Sequence, residues 1–515
     1  MSSYSKSSAI KNIALFGEKL SLLTYIVSAV SIIAVFSLAA YLQIELYLLL
    51  GIVGIALLWI MLHYPKVWIY LVIVGCALFF DLDEEGISAV DIFAAIFFNT
   101  FLIIWFFTKL LVNSDRKLIN FKNISTFKID KLSDKLFLLF YFFLSFNIIV
   151  AFFNGIDPFD WIREYMLFSL MLYYFPIRDY FNDKKSIIIL LVLFAFVAFR
   201  FDIRQFFMFA ELMNNVSMAY EIGGTAWKIN QGFYSAVILM GTAMFLYTKN
   251  KISKLFAYSI VLLTTFTLIS TFARAFWLSV MALIAVLTIF YTSPRQLFQL
   301  LAVIVLTTGI LFLALDTYFP KQSEYVQQFI VNKFSSSTQG RADPSVESRV
   351  REFSVVRQEI YESPIFGHGF KKHFSFYNNI ESRTAVVFFI HNGYLYLAHK
   401  AGIPMTILFY FVMLLFNIRG YIVAWRLKRY CARNCLDEKD DYHFFTALAI
   451  GASLIITMLA ITNMVTTGFF TRDCLIITAF SLAFITIAER KYAALNNCET
   501  LQKITNKIDL QNKFE

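Results

Sequence analysis

SVESRVREFSVVRQEIYESPIFGHGF (345–370), followed after a polar connection by HNGYLYLAHKAG (391–402), is the one long hydrophilic insertion in an otherwise apolar chain. The contrast decides the fold class. With 59% hydrophobic residues, 18% aromatic, 16% charged and a mean hydropathy of +0.66, the 515 residues are too apolar for a soluble protein. Outward from the insertion, apolar runs fall at 297–315, 275–291, 255–270, 231–247, 187–199, 162–176, 136–153, 89–112, 67–80, 46–62 and 20–42 on one side. On the other they fall at 404–418, 444–465 and 474–488. They predict an all-α polytopic membrane protein of about 12–14 transmembrane helices. The runs starting at 67, 162 and 187 are short for a span, so a re-entrant pair would account for the lower number. The first run is long and lacks a small-residue cleavage site, so no cleavable signal is expected.

Basic residues collect in every second loop, as in Lys6, Lys11 and Lys19, in the run from Arg116 to Lys135, and in Arg419, Arg426, Lys428, Arg429 and Arg433. This predicts that both termini are cytoplasmic and that the insertion is external. The division is then 1–315, an N-terminal transmembrane bundle; 316–390, a large external loop; 391–490, C-terminal transmembrane helices; and 491–515, a cytoplasmic tail. The net charge of +10 reflects these loops rather than a nucleic-acid partner. Cys76, Cys431, Cys435, Cys474 and Cys498 suggest neither a disulfide framework nor a metal set. The insertion has no counterpart in the first half, which counts against a transporter of two similar halves.

Asp343 and Pro344 read as N-cap and first residue of a helix running to Glu362. On it Val346, Phe353, Val356 and Ile360 share the direction of Arg349, while Arg351 points away. An inward Arg349 implies either an anionic ligand or an ion pair with Glu347 or Glu352. The turn around His368 reads as a glycine-bounded loop. If 391–401 is helical, His391, Tyr394, Leu395, Ala398 and Gly402 share a face with Lys400 opposite; His391 then serves either as a proton acceptor or as part of loop packing. Arg274, in STFARAFW, either snorkels to lipid headgroups or faces the same outer site as Arg349 and His391. Two arginines together suit a phosphate or pyrophosphate.

An arginine at the outer end of a span, a long external loop with SR…P-x-x-G-x-G-F, and HN-x-YL…G leading into a span together resemble the O-antigen ligase and polymerase family of bacterial envelopes. The resemblance covers roughly 227–402 in motifs and the whole chain in topology. It implies a C-type, cofactor-free and metal-independent glycosyltransferase of the inner (plasma) membrane, with a periplasmic site. The enzyme would transfer a glycan from a polyprenyl-pyrophosphate carrier to lipid A core, or to another glycan if it is a polymerase. By the same resemblance Arg274, Arg349 and His391 are catalytic, the arginines holding pyrophosphate and His391 activating the acceptor hydroxyl. Asn392, Tyr394, His368 and Arg351 are the candidate substrate-binding residues. Lys400 stands where many members carry Glu. The rival readings are a metal-dependent transferase using Asp81 and Asp83, and a flippase for lipid-linked oligosaccharides.

Overall fold

The computed structural model describes residues 54–79 apart from 57 and 62, then 89–113, 131–215, 230–318, 344–378, 383–433 and 440–511, with single positions between 320 and 331. The expected span 20–42, most of 46–62, and Asp81 and Asp83 lie outside the described residues. The chain divides into two compact units, residues 1–68 and 69–515. Everything that bears on the site is in the second.

The described helices are α1 (Pro65–Phe79), α2 (Ala89–Asn113), α3 (Leu132–Phe153), α4 (Pro158–Ser169), α5 (Tyr174–Tyr180), α6 (Lys184–Asn215), α7 (Gln231–Tyr247), α8 (Lys251–Ser270), α9 (Arg274–Tyr291) and α10 (Pro294–Tyr318). After the insertion helix α11 (Pro344–Glu362) come strands β1 (Phe374–Asn378) and β2 (Arg383–Val387). They are followed by α12 (Gly393–Ala401), α13 (Ile403–Arg433), α14 (Asp440–Thr462) and α15 (Arg472–Gln511). Five segments are long and apolar enough to cross a bilayer, namely Leu132–Phe153, Lys184–Leu212, Lys251–Ser270, Ile403–Cys431 and Asp441–Thr462. Ala94–Lys109, Gln231–Tyr247 and Arg274–Ile289 are shorter apolar helices. The protein is an all-helical polytopic membrane protein with a single small β-hairpin among its described elements.

Two expected spans differ in the structure. The run 162–176 is broken: α4 ends at Ser169, a 3-10 turn covers Leu170–Tyr173, and α5 restarts at Tyr174. Pro176 explains the break, because it has no N–H for the carbonyl of Leu172 and its ring crowds that carbonyl, yet it is tolerated in a new first turn. The run 187–199 is not short but part of the 32-residue α6. The polar residues after it do not end the helix, because Asp202 and Gln205 are themselves buried, and Thr264 of α8 donates to Asp202 at 3.0 Å. Beyond the last apolar run, α15 continues past Lys491 to Gln511.

The centre of the bundle is α14, 83% of whose apolar window is buried against α7, α9, α13 and α15. Small residues permit this. A Cβ on Gly451 would lie 2.7 Å from the Met240 sulfur of α7, and one on Gly420 would overlap Ser453 Oγ. Close backbone approach of this kind supplies dispersion contact where the surrounding lipid offers no hydrophobic gain.

The helix ends sort into two groups. At one end, Arg178, 1% exposed, meets Asp134 and, at 3.3 Å, Asp179; Lys109 lies 3.4 Å from Asp179; and Arg419 and Lys131 both reach Glu489. At the other, Phe233 at the start of α7 donates its N–H to Asp473 at 3.1 Å, so the α14–α15 turn sits beside the first turn of α7. Tyr247 at the far end of α7 donates to the carbonyl of Tyr291 at the far end of α9. The two helices therefore run the same way, and Arg274 lies at the same end as the α14–α15 turn.

Removing one partner of a buried pair leaves an uncompensated charge. Asp134→Ala is expected to destabilise the protein by about 3–5 kcal/mol, read as an earlier midpoint in a detergent unfolding titration.

Candidate active site

The loop between α11 and β1 is built by backbone geometry. Gly367 and Gly369 adopt φ values of 68° and 91°, and Gly402, between α12 and α13, adopts 88°. These conformations favour glycine, and contact requires it as well. A Cβ on Gly367 would lie 2.6 Å from the Gly402 nitrogen, and one on Gly369 would lie 2.7 Å from Ala151 Cα. The loop thereby runs beside the end of α12: His368 N–H donates to His399 O at 2.8 Å, Gly369 N–H to Lys400 O at 2.9 Å, and Ile403 N–H to Pro364 O at 2.8 Å. Asn147 and Asn154 of the α3 region donate to Lys400 O and His368 O at 2.9 and 3.0 Å. The P-x-x-G-x-G-F pattern is thus a docking device, closed by Phe370, which is fully buried against Phe168.

What had read as a polar connection is the β1–β2 hairpin, pairing Phe374 with Val387 through Asn378 with Arg383. Phe374 and Phe376 face inward, whereas Ser375 and Tyr377 face out. The alternation in FSFYN is the period-2 signal of a half-buried strand.

Helix α11 has the expected bounds but a shifted inner face. Ser348, Glu352, Val356 and Ile360 are buried; Arg349 and Phe353 are half-buried; Val346 is exposed. Glu352 is therefore the acidic residue carried inward, 1% exposed. A buried carboxylate needs donors. Both come from His391, whose backbone N–H donates at 2.6 Å to one oxygen and whose ring Nδ1 lies 2.8 Å from the other. A carboxylate accepts, so Nδ1 carries the proton and Nε2 presents its lone pair. The His391 side chain is 47% exposed, so this lone pair is accessible while its orienting partner is not. Sequence reasoning had offered Glu352 only as a partner for Arg349. The available signal was the spacing Ser348, Glu352, Val356, Ile360, one helix face displaced by a single position.

His391 does not belong to the helix expected over 391–401. Asn392 is the N-cap: its side-chain oxygen accepts from Leu395 N–H at 3.0 Å, and α12 begins at Gly393. Asn392 also donates to Met464 O at 2.9 Å, and Gly393 N–H to Asn463 O at 2.9 Å and Thr466 O at 3.0 Å. Tyr394 donates to Ala460 O at 3.0 Å and stacks on Tyr410 at 4.2 Å. The motif thus mounts His391 on the end of α14.

Arg349 lies one turn before Glu352, about 4.5 Å along the axis. Arg351 is exposed, pairs with Glu347 at 2.9 Å and lies 5.8 Å from the Tyr377 ring. Arg274 is the first residue of α9 and half-buried, behind a tight turn in which Phe272 takes φ 53° and Trp277 Nε1 donates to Leu268 O at 2.8 Å. Bulky residues rarely hold a left-handed backbone, and such strain concentrates at functional turns. Lys400, expected opposite His391, is fully buried, its amine bonded to the carbonyl of Lys372. Burial pushes that amine down to about 7, opposed by Glu164 and Glu359. Burial likewise pushes His399 down to about 4, opposed by Glu359.

The all-helical membrane bundle thus carries a histidine oriented by a buried carboxylate, with Arg274 at the same end. Residues 257–410, from α8 into α13, match the family model described as O-antigen ligase. The match contains Arg274, Arg349 and His391 and bears out the resemblance to O-antigen ligases and polymerases. It supports a function of that general type. No curated protein matches the chain.

Asn392→Ala removes the cap and the tie to Met464 and is expected to cost about 1–2 kcal/mol. Asn392→Asp, which keeps the cap oxygen, is expected to recover part of that loss in the same thermal melt.

Proposed function

We propose that this protein transfers a glycan from a polyprenyl-pyrophosphate carrier to a hydroxyl of lipid A core, on the periplasmic face of the bacterial inner membrane. The observation that carries the reading is the Glu352–His391 pair, a buried carboxylate fixing an accessible imidazole.

The acceptor O–H attacks the anomeric carbon, the bond from that carbon to the pyrophosphate oxygen breaks, and the proton passes to His391 Nε2. Glu352 holds the ring's orientation and stabilises the imidazolium that forms. Pyrophosphate leaves with its charge developing against Arg274 and Arg349, whose guanidinium forks match phosphate oxygens. The α9 N-terminus beside Arg274 adds outward N–H groups that favour an anion. In this scheme the transfer step draws on protein side chains alone. Asn392 and Tyr394 act by mounting His391; Arg351 stands on the exposed face of α11, where acceptor sugars would pass, whereas the His368 ring is turned to the Glu359 carbonyl.

A polymerase would use the same chemistry with a second lipid-linked glycan as acceptor. The two differ in a null strain: long chains left on the polyprenyl carrier support the ligase reading, whereas single repeats already on the lipid core support the polymerase. Glycan held on the inner leaflet would instead indicate a flippase and overturn the proposal.

Arg274→Ala, Arg349→Ala and His391→Ala are each expected to abolish transfer in membrane vesicles while the protein still inserts. Glu352→Gln, which keeps shape but loses charge, is expected to slow transfer by about a hundred- to ten-thousand-fold. Wild-type surface glycan in the His391 variant would sink the mechanism.

A further inference from the structure

A second cluster lies on the other end of α11. Glu359 is seven residues beyond Glu352, about 10 Å along the helix, and faces His368 of the glycine loop and His399 of α12. One ligating atom from each of the three lies within 4.8 Å of the others. His399 Nε2 is 2.6 Å from Glu359 Oε2, His368 Nε2 is 2.8 Å from the Glu359 main-chain oxygen, and the imidazole centroids are 5.0 Å apart.

We propose that Glu359, His368 and His399 form a binding site for a divalent cation of the zinc class, which clamps α11 to the loop and to α12. Two imidazoles and one carboxylate are a borderline-soft N2O set, the type that holds zinc with one position left for water.

Three observations support a cation over a simple hydrogen-bonded trio. His368 Nε2 faces a carbonyl, which only accepts, so that nitrogen carries the proton and Nδ1 keeps its lone pair. A metal-binding imidazole is commonly set up in this way by a backbone oxygen on its other nitrogen. His399 is fully buried with Nε2 held 2.6 Å from Glu359 Oε2, so a cation entering between them takes the place of the proton they share. The loop and α12 are already locked in register by the His368–His399 and Gly369–Lys400 backbone bonds, and α11 is tied to the loop through Glu359 O and His368 Nε2, so little ordering is left for a cation to impose. Cation–ligand distances of about 2.0–2.2 Å ask Glu359 and His399 to part slightly and His368 to close in.

The clamp is remote from His391, so its role is to hold α11, and hence Glu352 and Arg349, in place. The test needs no transfer assay and stands apart from the proposed reaction. Detergent-purified protein is expected to carry about one zinc by elemental analysis, to melt earlier after 1,10-phenanthroline, and to regain its midpoint with zinc chloride. His368→Ala, at a half-exposed loop position where folding should survive, and His399→Gln are expected to lose the metal and the chelator response together. Zinc content unchanged in His368→Ala, or a wild-type midpoint unmoved by both chelator and zinc chloride, would overturn the assignment.

Discussion

The two oxygens of a carboxyl that is 1% exposed need donors, and Glu352 finds both in one residue. The backbone N–H and the ring Nδ1 of His391 each take one oxygen, so the contact fixes where the chain re-enters the bundle and how the imidazole is turned. Because Glu352 sits on α11 and His391 just ahead of α12, this single interaction ties the long insertion to the membrane domain. The glycine loop and the cap at Asn392 keep those two segments in the register the contact needs.

The register has its own physical basis. Gly367, Gly369 and Gly402 bring the loop to van der Waals limits against α12 and α3, and Gly393 does the same against Asn463. Backbone pairing across these approaches, with the Asn147 and Asn154 side chains bonded to Lys400 O and His368 O, sets the positioning. Motif residues spaced along the sequence therefore divide their labour, glycines setting distance, Asn392 and Tyr394 setting attachment, and His391 presenting an exposed ring.

Much of this was legible before the coordinates. The α11 limits at Pro344 and Glu362 followed from proline at the first position and Ser363-Pro364 at the end, because helix punctuation is local. Counting alternating spans groups Arg274, Arg349 and His391 on one side, and the proposed mechanism keeps that reading. Most of what failed depended on tertiary contact. Periodicity centred the α11 face on apolar Val346 and Phe353, yet burial is set by the partner surface, which accepted Ser348 and Glu352 instead. The seventh apolar run reads as ending at Phe199, but a partner such as Thr264 for buried Asp202 lets the helix continue through polar residues. His391 stands ahead of the helix because Asn392 caps it through Leu395 N–H, a local signal in an Asn–Gly pair that helical periodicity alone passes over.

The two ends of the bundle treat charge differently. At the end opposite the site, Asp134, Asp179 and Glu489 each meet Arg178, Lys109, Arg419 or Lys131, with both members of the central pair nearly inaccessible. Such closed pairs contribute little net stability, and losing one member is costly, so they fix helix ends rather than do chemistry. At the site end the Glu352–His391 pair is split by exposure, 1% against 47%. In the proposed mechanism that asymmetry lets His391 exchange a proton with a substrate while its orientation stays protected from water, because the exposed nitrogen can lose its solvent to an incoming hydroxyl without disturbing the buried carboxylate.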